Sequence, residues 1–179
     1  MFSKLNNSFE NRAIFWLIII FLVNLSLKII YLVYYPGSLV LRYDTYLYLL
    51  KSLEILKNNW TPIHTHPIGL SVFAAPFFYF TKNSALFVNM IIAQMISLTV
   101  GALSVFPLYF ISRKLTSVKN SIIVLIVFTF SYWFTFGSAG FFNESLFAFI
   151  FLWMILFILK TKENQNFVLL AAAFAALSY

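Results

Sequence analysis

Residues 13–35 read AIFWLIIIFLVNLSLKIIYLVYY, and this stretch decides the fold class. A helix needs about 20 residues to cross the hydrocarbon core of a bilayer, because each residue adds about 1.5 Å of rise. The run meets that length with Lys28 as its only charge. Working outward, residues 86–111, 120–137 and 142–159 form three further apolar stretches of spanning length. Residues 167–179 begin a fifth that is too short to cross. The composition points the same way. With 62% apolar and 9% charged residues, a water-soluble globule would carry a large exposed apolar surface. The predicted fold is an all-α, polytopic transmembrane helix bundle forming one integral membrane domain over 1–179.

Lys4 and Arg12 precede the first run in the manner of a signal peptide, but no small-x-small cleavage site follows before Lys28. The run therefore reads as a retained anchor. Lys4, Arg12, Arg113, Lys114, Lys119, Lys160 and Lys162 all fall on one side of the predicted spans. The positive-inside rule makes that side, including residues 1–12, cytoplasmic. The expected location is the cell membrane, with the 36–85 loop and Glu144 at the outer face. The net charge of +7 reports this topology rather than nucleic-acid binding, since the basic residues form no continuous stripe. The lack of cysteine removes disulfides, thiolate catalysis and Cys-ligated metal.

The 36–85 loop changes character along its length. From Asp44 to Lys57, Tyr46, Leu49, Leu50, Leu53 and Leu56 recur at helical spacing, and Asp44, Tyr48 and Lys51 share another stripe. Such a helix is expected to lie in the interface with its polar stripe turned up. Pro62 and Pro67 keep 60–67 extended. Residues 68–80, interrupted by Pro76, read as a second interfacial or re-entrant helix. Asp44 is one of five acids in the chain, and at a helix start it is either a cap or a reactive carboxylate. Glu144 has the same two readings, electrostatic complement to a helix N-terminus or functional acid. Asn24, Lys28 and Tyr31 form a polar stripe on the first span. There Lys28 either snorkels to the interface or meets a phosphate. His64 and His66 alternate in an extended stretch as positioning groups or metal ligands, without a third ligand in the pattern. Ala93, Ser97 and Gly101, spaced by four, mark a packing face.

The order of these features resembles the GT-C fold of polyprenyl-phosphate-sugar-dependent glycosyltransferases, in the protein-mannosyltransferase and Rgt-like branch. The segments concerned are Asp44-Thr45-Tyr46-Leu47-Tyr48-Leu49, His66-Pro67-Ile68-Gly69-Leu70, Pro107-Leu108-Tyr109-Phe110-Ile111-Ser112-Arg113-Lys114 and Asn143-Glu144-Ser145-Leu146-Phe147. The resemblance implies transfer of a hexose from a polyprenyl-phosphate donor to an acceptor hydroxyl on protein, lipid or glycan, with inversion at the anomeric carbon. Asp44 would be the base, and Glu144 a second carboxylate for metal or acceptor. Arg42, Lys51 and Lys28 would be the phosphate contacts, with Tyr48, His64 and His66 in positioning roles. A divalent metal fits this chemistry. On this reading the chain is the N-terminal part of a larger fold and is expected to be inactive alone. The contrasting expectation is a non-catalytic polytopic protein, a transporter piece or an assembly subunit.

Overall fold

A computed structural model describes residues 12–34, 43–61, 68–131, 143–161 and 164–177. Among them all regular structure is helical. The order is α1 (Ala13–Tyr34), α2 (Tyr43–Ile55), α3 (Gly69–Ala74) continued by a 3-10 turn (Ala75–Phe78), α4 (Leu86–Leu103), α5 (Val105–Leu115), α6 (Val118–Phe130), α7 (Asn143–Lys160) and α8 (Phe167–Leu177).

Among the described residues, two helical stretches are long and apolar enough to cross a membrane, Ala13–Tyr34 and the joined α4–α5 stretch Leu86–Leu115. The first of these, α1, buries Leu17, Ile20, Asn24, Lys28 and Leu32, which recur every three or four residues and form one stripe. Its opposite face carries exposed Ile14, Phe15, Ile18, Leu22 and Val33. A helix that is apolar on its outward face as well has little to gain from water there. The predicted second span extends past 111 to Leu115 and is interrupted at Ser104, where α4 gives way to α5. Pro107 explains the break: it has no N–H for the carbonyl of Leu103 four residues back, and its ring crowds that carbonyl.

The third predicted span is helical over Val118–Phe130, with Ser117 accepting the Asn120 amide at 3.4 Å as its N-cap. Its remainder from 132 lies outside the described residues. The fourth corresponds to α7 and the incomplete fifth to α8. These two pack through aromatic rings, Phe157 lying 5.9 Å from Phe167 and 5.2 Å from Phe174 between centroids. The basic turn between α5 and α6 leaves Lys114 and Lys119 exposed.

Two main apolar clusters hold the bundle. One joins Leu17 and Ile20 of α1 to Val105 and Tyr109 of α5 and to Val118, Ile122 and Leu125 of α6. The other joins Tyr48 and Leu49 of α2, Leu70, Ala74 and Phe78 of the α3 segment, Met90, Ala93, Ile96 and Val100 of α4, and Leu146 and Ile150 of α7. Ala93, Ser97 and Gly101 are all buried, as a packing face requires.

Candidate functional site

The second cluster places the loop that was singled out in the sequence. Asp44 is the second residue of α2, and its backbone enters the helix one turn before Tyr48. Tyr48, Leu49, Lys51, Ser52 and Ile55 of this helix are buried. The stripe of Tyr48 and Lys51, expected to turn up toward water, therefore faces inward. The physical cause lies in small polar partners. Ser52 Oγ donates to the Tyr48 carbonyl at 2.8 Å, and Ser71 Oγ of α3 donates to the same carbonyl at 3.1 Å. Ser71 and Ala74 are small enough for α3 to approach closely, and Leu70 and Phe78 then cover Tyr48 and Leu49.

Lys51 has a different task from the phosphate contact expected of it. Its ammonium lies 3.0 Å from Glu54 Oε2, 3.2 Å from the Asn59 carbonyl and 3.5 Å from Thr61 Oγ1. An ammonium has three N–H donors, and all three are directed into the chain's own turn. Asn59 completes the knot, its Oδ1 accepting from the Thr61 N–H at 3.2 Å and the Thr61 hydroxyl at 2.7 Å. The turn passes through Asn58 at φ 62°, a left-handed value that asparagine tolerates better than most residues. Lys51 thus fastens the end of α2, and Trp60 is left exposed beside it.

Glu144 is exposed in the first turn of α7, where the helix dipole favours a negative charge. Two residues on, Leu146 enters the cluster that contains Tyr48. The helices that carry Asp44 and Glu144 therefore begin beside the same apolar cluster, each within about one turn of a residue buried in it. Arg42, His64 and His66 lie outside the described residues, as does the side chain of Asp44. Among the described residues no three carboxylate or imidazole groups gather as a metal site would require.

Lys28 is fully buried, so it does not snorkel along the outer surface of the bundle. One turn earlier Asn24 is also fully buried, and neither its Nδ2 nor its Oδ1 has a hydrogen-bond partner. Leaving a buried polar group unsatisfied costs about 1–3 kcal/mol, which makes Asn24 a costly residue unless something else meets it. The polar stripe was visible in the sequence, but the helix break opposite it was not anticipated. Pro107, read only as part of a motif, was the available signal.

Comparison with known protein families, with curated proteins and with solved structures finds no match for this chain.

Proposed function

We propose that this chain carries the outer catalytic layer of a polytopic membrane glycosyltransferase of the GT-C type, using a polyprenyl-phosphate-linked sugar. The observation that carries the reading is the placement of Asp44. It opens a helix whose next turn is tied by Tyr48 to α3, and that layer packs on α4 and on the start of α7, where Glu144 stands. In this reading the N-terminus is cytoplasmic and the α2–α3 layer faces outward. The acceptor hydroxyl oxygen attacks the anomeric carbon while its proton passes to the Asp44 carboxylate. The bond between the anomeric carbon and the phosphate oxygen breaks, and the polyprenyl phosphate leaves with the electron pair. Attack from the opposite side inverts the anomeric centre. Glu144 would hold the acceptor or contribute a ligand to a divalent cation, which would offset the charge of the leaving phosphate.

The test is sugar transfer from a polyprenyl-phosphate donor by the native protein in bilayers, comparing wild type with Asp44→Asn. Near-normal turnover in the variant, at equal expression, removes Asp44 as the base.

A second reading has its own observation. Asn24 and Lys28, buried in a membrane-length helix, are the kind of interior polar groups that line a transport path. A transporter piece moves its solute with Asp44→Asn as well as without it, and shows no transfer to any acceptor.

A further inference from the structure

The apolar cluster that joins α1, α5 and α6 also sets the level of their ends. Phe21 of α1 meets Phe106 of α5 with ring centroids 5.4 Å apart, and Leu32 of α1 packs with Leu98 of α4, so α1 runs antiparallel to the α4–α5 stretch. Leu17, Tyr109 and Val118 belong to one cluster at this end. At helical rise Arg12 lies about 7.5 Å before Leu17, and Lys114 about 7.5 Å beyond Tyr109. Lys119 directly follows Val118. Arg12, Lys114 and Lys119 therefore emerge together from three helices, and all three are exposed. Arg113 stands beside them, donating from Nη1 to the Thr116 carbonyl at 3.0 Å.

No described carboxylate gathers at this end. Asp44, Glu54 and Glu144 belong to α2 and to the start of α7, which pack on Met90 and Ala93 at the other end of the α4–α5 stretch. Glu10 and Glu163 lie outside the described residues. The first turns of α1 and α6 hold no acid. Lys119 stands in the first turn of α6, where the helix dipole is already positive, so its own helix does not offset its charge. Just inside this basic rim the surface turns apolar, with Ile14 and Phe15 of α1, Phe110 of α5 and Ile123 of α6 exposed.

We propose that this end of the bundle is a binding surface for anionic phospholipid, with Arg12, Lys114 and Lys119 on the head-group phosphate and Phe15 and Phe110 against the acyl chains. A cationic rim above an apolar wall complements an anionic amphiphile on both counts. A soluble polyanion would leave the wall uncovered. A zwitterionic lipid brings its own cation and leaves the positive surplus unmatched. The proposal rests neither on the transferase reading nor on the orientation of the chain. Counting basic residues predicts which side of the membrane they occupy; the surface predicts which lipid stays with the folded protein.

The experiment places the full chain in phosphatidylcholine nanodiscs that carry a minor share of phosphatidylglycerol. Native mass spectrometry identifies the lipid retained by the protein on release, and thermal unfolding is followed in the same discs. The expected result is enrichment of phosphatidylglycerol over its share in the disc, with an unfolding midpoint that rises with its content. Arg12→Gln and Lys119→Gln each weaken its retention about fivefold, the factor for one basic side chain at an anionic surface. Both variants melt as wild type does in pure phosphatidylcholine, and Lys119→Arg retains the lipid as wild type does. Lys57→Gln combined with Lys82→Gln removes two exposed charges at the opposite end and leaves retention unaltered. Unchanged enrichment when Arg12→Gln and Lys119→Gln are combined overturns the proposal. Equal loss in the Lys57 and Lys82 pair also overturns it, because net charge rather than this surface then selects the lipid. A lower midpoint of the rim variants in pure phosphatidylcholine assigns Arg12 and Lys119 to folding instead. Displacement of the lipid by millimolar inorganic phosphate assigns the surface to a soluble anion.

Discussion

Replacing Lys51 with Met tests whether the knot at the end of α2 is held by its ammonium. Methionine keeps most of the buried stem, so loss of packing contributes about 1 kcal/mol or less. The bond to the Asn59 carbonyl, at 3.2 Å and with Lys51 only 2% exposed, is charge-assisted and contributes about 1.5 kcal/mol. The pair with Glu54 is shorter at 3.0 Å, but the carboxylate is 48% exposed, so solvent screening reduces it to about 0.5 kcal/mol. The 3.5 Å contact with Thr61 is at the limit of a hydrogen bond and adds little. Removing a buried ammonium also recovers part of its desolvation cost, which lowers the sum. The expected net loss is about 1–2 kcal/mol. Thermal unfolding in micelles measures the global effect, and amide hydrogen exchange localises it to residues 56–61, with exchange there about tenfold faster. A double-mutant cycle with Glu54→Gln should give a coupling of less than about 1 kcal/mol. Unchanged stability together with unchanged exchange over 56–61 would refute the claim that Lys51 holds the turn.

Leu49, fully buried between α2 and its neighbours, should lose about 2–5 kcal/mol on replacement by Ala, read as a fall in the unfolding midpoint. Asn58→Ala places a β-carbon without a compensating polar group at φ 62°, and a loss of about 1 kcal/mol is expected in the same assay. Asp44→Asn should leave the unfolding midpoint nearly unchanged while transfer falls by about 10²–10⁴-fold, the usual range for a general base. A midpoint that drops with the rate would assign Asp44 to folding instead.

Helix existence was legible in the apolar runs: α1, α4 and α7 lie within stretches of spanning length, and α3 and α8 within the two shorter apolar stretches. The inward face of α2 was harder to read. Helical spacing gives two stripes, Tyr46-Leu49-Leu50-Leu53-Leu56 and Asp44-Tyr48-Lys51, but does not say that neighbours will cover Tyr48 and Lys51 as well as Leu49, Leu53 and Leu56. Ser52, Ser71 and Ala74 decided it by allowing close approach at the Tyr48 carbonyl, an encounter between residues 23 apart in the chain. Lys51 misled for a related reason: its partners Asn59 and Thr61 lie beyond the helix, on the far side of a left-handed residue that periodicity does not reveal. At Asn24 and Lys28 the pattern was visible, but their complete burial depends on α4 and α5, which pack there from far along the chain.

The shared carbonyl of Tyr48 has a mechanical consequence. Hydroxyls from its own helix and from α3 converge on one oxygen, so sliding α3 by a single residue would separate Ser71 from its acceptor. Asp44 stands four residues away along a rigid rod, about 6 Å at helical rise. A displacement of the short α3 segment is therefore transmitted to the start of α2 rather than absorbed between them. The two helices are thereby coupled at the Tyr48 carbonyl.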